Sequence, residues 1–353
     1  MRAGRAAEAE RHFVAAAQED DTWRVRLADY YVGMGRRTDA LKVLSGLVSE
    51  TDSVDRRIRA VAQLRIAWLR HASGDRRGAH ETVATALNDP AVAANAHLLK
   101  SRFLLEAGNL DEAFTHAREA ARLQPAAAEP RFVLGQVHVA RGELADAEKE
   151  LERARARAPE AGRIELELAQ VRAELHIVAG DLDAAIAEYE RIARIEEKPA
   201  AALTAIGMLK AQLGDQAGAR AAYVRALQLD PAAGIAANNL AWIYAQQGLL
   251  NDALRLASVA QGVLANAAPA LDTSGWVHYL KGAAHLAIDP LERAVQAEPN
   301  EALYRYHLGA ALLKTGQRQR AEREFRTALE LSSDFEGAAE ARQMLAKLHA
   351  VVD

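Results

Sequence analysis

The sequence predicts an all-α fold, an α-solenoid built from helix–turn–helix repeats. Small residues recur every 34 positions, and a glycine recurs in phase with them. Half of the residues are hydrophobic but only 5% are aromatic, which suits helices that pack closely on one another. A chain of 353 residues is long for one compact domain. A repeat array escapes that limit because each unit packs only on its neighbours.

A glycine at the predicted end of the first helix marks each repeat. Glycine is favoured there because the residue that ends a helix often needs a positive φ. Most of these glycines are 34 residues apart, but extra residues near 50–56 and 160–165 lengthen two of the steps. The series is Gly35, Gly74, Gly108, Gly142, Gly180, Gly214, Gly248, Gly282 and Gly316.

The frame assigns the whole chain, 1–353, to a single array. Residues 1–20 fit the second half of a repeat, with Gly4 in the place of the closing glycine, so we expect the native N-terminus to lie upstream. Residues 336–353 fit a capping helix, as expected at the end of a solenoid. Between them, within 21–335, nine full repeats are predicted at 21–54, 60–93, 94–127, 128–161, 166–199, 200–233, 234–267, 268–301 and 302–335.

One proline conflicts with this frame. Pro290 falls inside the predicted second helix of repeat 268–301. Proline lacks a main-chain donor and crowds the carbonyl four residues before it. The sequence therefore predicts a kink or a late helix start in this repeat.

The period of 34 residues, with this order of Gly, Ala and large apolar positions, resembles the tetratricopeptide-repeat (TPR) family over essentially the whole chain. The resemblance implies a right-handed superhelix in which first helices line a concave groove and second helices the convex face. It also implies a non-catalytic scaffold or adaptor that binds a protein or peptide in the groove.

Composition and motifs favour binding over catalysis, so we expect no enzyme activity, no cofactor and no metal. The chain has no cysteine, and a net charge of −4 gives no basic field for nucleic acid. No apolar run approaches the roughly 20 residues of a membrane span. The pair His80-Glu81 begins a zinc motif whose second histidine is missing. His278 and His285 are separated by Gly282 and are better interpreted as surface or packing residues.

A candidate partner site follows from the groove that the resemblance implies. There, residues 34 apart become neighbours, and residues 238–307 place aromatic and neutral polar side chains together. Trp and Tyr are typical of binding hot spots, and amides can bond the main chain of an extended peptide. The alternative is that the tryptophans simply pack between first helices. The candidates are Asn238, Asn239, Trp242, Asp272, Thr273, Trp276, Tyr279, Tyr306 and His307, with Trp68 and Arg102 as secondary candidates.

The last third carries a narrower resemblance. The segments NNLAWIYAQQG, LDTSGWVHYLKG and LYRYHLGAALLKTGQRQRAEREF are similar to bacterial TPR lipoproteins of PEP-CTERM/exosortase exopolysaccharide systems. That similarity implies a periplasmic or outer-membrane-tethered scaffold for polymer export or protein sorting, with any lipid anchor upstream. The alternatives are a cytoplasmic scaffold or regulator, a self-assembling structural protein, and a TPR portion of, or docking module for, a glycosyltransferase or protease.

Overall fold

The computed structural model describes residues 2–50 and 53–349, which form twenty helices and no strand, as the sequence predicts. Even-numbered helices from α2 to α18 are first helices, and odd-numbered helices from α3 to α19 are second helices. In chain order they are α1 (Arg2–Glu19), α2 (Asp21–Gly33), α3 (Arg37–Ser49), α4 (Arg56–Ala72), α5 (Arg76–Ala86), α6 (Ala93–Glu106), α7 (Leu110–Leu123), α8 (Ala128–Ala140), α9 (Leu144–Arg155), α10 (Gly162–Ala179), α11 (Leu182–Ile195), α12 (Ala200–Gln212), α13 (Gln216–Leu229), α14 (Gly234–Gln246), α15 (Leu250–Val263), α16 (Ala268–Leu280), α17 (Ala284–Ala297), α18 (Ala302–Lys314), α19 (Arg318–Leu331) and α20 (Ala338–His349).

The predicted closing glycines lie in the turns between first and second helices. All nine, from Gly35 to Gly316, have φ between +74° and +87°, a region that costs other residues about 1–2 kcal/mol. The same expectation is wrong for Gly4, which lies inside α1. Its neighbours are rich in Ala, Arg and Glu, whose helix propensity tolerates one glycine.

The extra residues of the two irregular repeats extend first helices. α10 has 18 residues and α4 has 17, whereas α14 has 13. The additional residues precede the part of each helix that matches the other repeats, so the turn and the second helix keep their places in the frame.

The two helices of a repeat approach closely because a glycine on one faces a ring on the other. A Cβ atom added to Gly207 would lie 2.4 Å from the Tyr223 ring, and one added to Gly309 would lie 2.7 Å from the Phe325 ring. Both rings are fully buried. The residue pattern that defines the repeat is therefore the pattern of its core.

Pro290 does not delay its helix. α17 begins at Ala284, where the frame places it, and continues through the proline to Ala297, so the late start is wrong and the alternative, a kink, stays a prediction. The proline ring is buried on the packed face. The carbonyl it leaves without a donor belongs to Leu286, which is half-exposed and near the helix start, so water can satisfy it.

Contacts divide the chain into a first unit, 1–175, and a second unit, 176–353. In the first unit α4 packs on α2 and α6, and in the second unit α14 packs on α12 and α16, and α16 on α18. The second helices α13, α15 and α17 each pack on their own first helix and on that of the next repeat, and α19 packs on α18 and α20. First helices thus form a continuous layer within each unit.

Candidate functional site

The main candidate site lies on three neighbouring first helices of the second unit. Asn238, Asn239 and Trp242 are on α14, the residues from Asp272 to Tyr279 are on α16, and Tyr306 and His307 are on α18. The repeat frame therefore places all nine residues on one layer of adjacent helices. Which side chains touch is decided by finer geometry.

Rings from α14, α16 and α18 form a connected aromatic cluster. Trp276 stacks on His307, with centroids 3.9 Å apart, and on Tyr279 at 4.7 Å. Trp242 lies 5.8 Å from His307, and Tyr306 lies 5.8 Å from Trp276. Both tryptophans remain half-buried, so each combines packing between helices with a surface open to solvent. The packing interpretation made from the sequence therefore applies to both tryptophans, and a binding role for their open surface stays a prediction.

A buried pair of polar residues supports this cluster. Nδ1 of His307 donates to the Asp272 carboxylate, at 2.8 Å from Oδ1 and 3.0 Å from Oδ2. The two residues are only 1% and 3% exposed. Because a carboxylate only accepts, the proton must lie on Nδ1. The pair fixes the imidazole plane on which Trp276 stacks, and it joins residues 35 apart rather than the expected 34.

The two asparagines of α14 form a short hydrogen-bonded chain. Asn238 Nδ2 donates to Asn239 Oδ1 at 3.3 Å, and Asn239 Nδ2 donates to the Tyr223 hydroxyl at 3.2 Å. Asn238 is 8% exposed, and its Oδ1 has no hydrogen-bond partner among the described residues. An unpaired buried acceptor is costly, about 1–3 kcal/mol, and such atoms in native proteins call for an explanation.

A cavity of about 400 Å³ opens beside these asparagines. Trp242, Asp272 and Thr273 line it with them, whereas Trp276 and Tyr279 do not. Among the lining residues that sequence reasoning did not select as sites are Met208, Tyr223 and Tyr304. Met208 stands 34 residues before Trp242 and could have been found by the same step. Tyr223 is a second-helix core residue, and no repeat spacing points to Tyr304.

Burial holds the tyrosines of the site in their neutral form. It raises the pKa of Tyr223 and of Tyr279. Burial, with Glu340 and Glu336 nearby, raises the pKa of Tyr306 to about 12. The pKa of Tyr304 is also raised, first by burial and then by the charge of Asp272. These hydroxyls therefore act at neutral pH as hydrogen-bonding groups and not as anions.

The secondary candidates lie together in the first unit. Trp68 and Arg102 line a cleft of about 630 Å³ between α2, α4 and α6, with Leu64 and Leu98 in its wall. Trp68 is 45% exposed. Arg102 forms an ion pair with Glu129. Its guanidinium is already paired, so a ligand in this cleft would have to compete with an internal carboxylate.

The described residues offer no metal site. Within 2–50 and 53–349 no group of three or more His, Cys, Asp or Glu side chains is placed to hold a metal ion. His80 packs against the Phe103 ring, with centroids 5.7 Å apart. Over the same residues, no helix is long and apolar enough to cross a membrane.

Comparison with known families decides the repeat type. Family models described as tetratricopeptide repeat match residues 64–128 and 204–271, 104–170, and 302–335. Together the matches span more than half of the chain. The chain belongs to the tetratricopeptide-repeat family.

Solved TPR structures resemble the chain in fold. The APC/C hetero-tetramer Cut9–Hcn1 matches with a TM-score of 0.51 and 13% identity, over 98% of this chain and 87% of that one. PilF of Pseudomonas aeruginosa matches with a TM-score of 0.51 and 15% identity, over 61% and 96%. YrrB, described as a TPR protein with an unusual peptide-binding site, has a TM-score of only 0.41, with 18% identity over 53% and 95%. At these identities the likeness shows the fold alone, and no curated protein matches the chain.

Proposed function

We propose that this TPR protein is a non-catalytic scaffold that binds a protein or peptide partner on the first helices α14, α16 and α18. The observation that carries the proposal is the cavity beside Trp242, where a half-buried indole meets an unpaired amide oxygen of Asn238. Apolar pockets with a few convergent polar groups are the usual form of a binding site.

The arrangement suits a partner because the site is already ordered. Trp276 is held by His307 and Tyr279 on either side, and His307 is held by Asp272. Rigid aromatic side chains lose little conformational entropy when a ligand binds. A ligand would therefore contact side chains that are already ordered. The favourable free energy of burying aromatic surface would not be offset by the entropy cost of ordering them.

The setting of this scaffold is proposed from sequence resemblance alone. The C-terminal segments favour a bacterial cell-envelope assembly, in exopolysaccharide export or protein sorting. A cytoplasmic TPR scaffold or regulator, and a TPR module joined to or docking an enzyme such as a glycosyltransferase or protease, are the alternatives. The groove proposal does not depend on which of these settings is correct.

Tryptophan truncation tests the groove. Peptides are selected on the wild-type protein from a phage library of random short peptides, and their affinities are measured by calorimetry. We expect Trp242→Ala to weaken binding about thirtyfold, since truncating a hot-spot tryptophan costs about 2 kcal/mol or more. Trp276→Ala should weaken binding and also lower the melting temperature, because that indole packs between helices.

Trp23→Ala is the matched control. Trp23 is an exposed tryptophan on α2 of the first unit, so its loss should leave affinity for the selected peptides unchanged. Thermal melting of each variant separates lost binding from lost structure. Wild-type affinity in both Trp242→Ala and Trp276→Ala, with the protein folded, would rule out this groove and make the Trp68 cleft the better candidate.

A further inference from the structure

The groove in the second unit has an unusual charge pattern. α14 and α16 contain no Lys or Arg, and their one carboxylate, Asp272, is buried against His307. Residues 234–301 as a whole carry three basic and six acidic side chains. The aromatic surface of Trp242, Trp276 and Tyr279 on these two helices, called the floor of the groove below, is therefore neutral and has few cations around it in the sequence.

Two cations close to this floor in the sequence, Arg305 and Lys281, bond to groups on other elements. Arg305 of α18 pairs with Glu324 of the second helix α19 at 2.8 Å and donates to the Pro299 carbonyl. Lys281, which follows α16, donates to Asn251 of α15. Both charges are directed toward the second helices, and α14 and α16 supply no other cation to the groove.

Carboxylates stand at both ends of the floor. Glu298 and Glu301 precede α18, and both act on Tyr304, whose pKa they help to raise. Glu336 and Glu340 lie by α20 and act in the same way on Tyr306. Burial is the largest cause of both raised pKa values, and these carboxylates add to it because nearby anions disfavour a charged phenolate.

Glu336 is hydrogen-bonded to α14, another helix of the groove. Its Oε1 accepts from Gln246 Nε2 of α14 at 3.2 Å, although the two residues are 90 apart in the sequence. In the same segment Phe335 packs 6.0 Å from the Tyr306 ring. The segment before α20 thus places a carboxylate beside the C-terminal end of α14.

Independently of these charges, the cavity contains a buried acceptor that lacks a donor. Asn238 is more than nine-tenths buried, lines the cavity, and its Oδ1 has no partner among the described residues. None of the described residues that line the cavity is Lys or Arg. A ligand that donates a hydrogen bond here would remove the cost of an unpaired buried acceptor.

We propose that the partner segment bound in this groove is basic, an extended stretch in which Lys or Arg stands next to an apolar residue. This inference rests on the proposed function and names the chemistry of its ligand. The apolar residue fills the cavity beside Trp242. The cation lies over the indole face, where the ring quadrupole attracts it, and a donor group of the segment reaches Asn238. An acidic segment would meet carboxylates at both ends, and neither α14, α16 nor the cavity lining offers it a Lys or Arg.

The test joins peptide selection with charge removal. The random-peptide phage library is selected in parallel on the wild-type protein and on Trp242→Ala, and peptides that need Trp242 are sequenced. Met208→Lys is a second variant, because Met208 lines the cavity yet is 49% exposed, so the change leaves the core intact and places a cation in the site. We expect the Trp242-dependent peptides to be enriched in Lys and Arg and to lose affinity on Met208→Lys.

The carboxylates are tested with one selected basic peptide and a version in which Gln replaces its Lys and Arg. Glu336→Gln with Glu340→Gln should weaken the basic peptide about threefold to tenfold at low salt, and less at high salt. The Gln version should not respond. The control is Glu190→Gln with Glu330→Gln, two exposed carboxylates on the second helices α11 and α19, which should leave affinity within about twofold.

The outcomes separate the two proposals. Trp242-dependent peptides that are neutral or acidic, or affinity that ignores Glu336 and Glu340, would overturn the basic-ligand inference while the groove stands. A selection that yields no peptide dependent on Trp242 or Met208 would overturn the groove and this inference together.

Discussion

At the residue scale, we expect two neighbouring histidines to make the stability of the protein sensitive to acid. His97 of α6 and His116 of α7 place their Nδ1 atoms 2.8 Å apart, so one ring donates and the other must be unprotonated to accept. Burial is the main cause that lowers the pKa of both below the ordinary 6.5, and His97 and Lys100 lower that of His116 further. The pair is therefore favoured in its neutral state.

The sign of the pH effect follows from these lowered values. Below pH 6.5 the unfolded chain binds protons that the folded pair does not, so stability is fully present above that pH and is lost as pH falls toward the lowered pKa values. We expect the melting temperature to decrease from pH 7 to pH 5, and His116→Gln to make the decrease smaller. Thermal scans across that range check this, with the exposed His12→Gln as control. Equal pH slopes for wild type and His116→Gln would contradict it.

Side-chain partners in the site are the part that sequence reasoning predicted least. The 34-residue step places Asp272 and Tyr306 in one column, yet Asp272 bonds His307, one residue further on. Helix rotation and rotamer choice decide such contacts, and a repeat frame carries neither. Trp242 and Trp276 lie on adjacent first helices, but the ring nearest to each indole is that of His307 rather than the other indole.

At the scale of elements, one glycine sets the spacing of α18 and α19. A Cβ atom at Gly309 would approach the buried Phe325 ring to 2.7 Å. We expect Gly309→Ala to lower the free energy of unfolding by about 1–3 kcal/mol through overpacking, although alanine favours helix. The control is Gly262→Ala in α15, where the added methyl meets nothing within 4 Å. Urea unfolding followed by circular dichroism measures both. Equal stability of the two variants would show that the close approach is not required.

The elements predicted correctly from the sequence are those marked by a residue type that serves one structural purpose, such as glycine at a positive φ. The turn glycines all have the positive φ that their spacing predicts, and the extra residues near 160–165 lengthen α10. Prediction was wrong where local chemistry tolerates an exception. Gly4 lies within α1 instead of ending a helix, and Pro290, inside a second helix as predicted, does not delay the start of α17. The segment at Phe335 and Glu336 lies outside the repeat pattern, so its approach to Tyr306 and Gln246 had no periodic signal.

At the scale of the whole molecule, the stability of each repeat depends mainly on the repeats next to it. Within each unit, helices contact those adjacent in the array, so stability is roughly a sum of repeat and nearest-neighbour terms. A ligand on α14, α16 and α18 would tie three repeats together and raise the stability of those repeats most. That 1–353 form a single array is a prediction from the continuous frame, and the first and second units are each consistent with it.

Hydrogen exchange with and without a selected peptide tests the central claim most directly. The account predicts that peptide slows exchange in α14, α16 and α18, with smaller changes in α15, α17 and α19, and leaves α2, α4 and α6 unchanged. Binding stabilises what it contacts and reduces local opening there. Protection confined to the second helices, or centred on Trp68 in α4 with α14 to α18 unaffected, would contradict the assignment of the partner site to the groove beside Trp242.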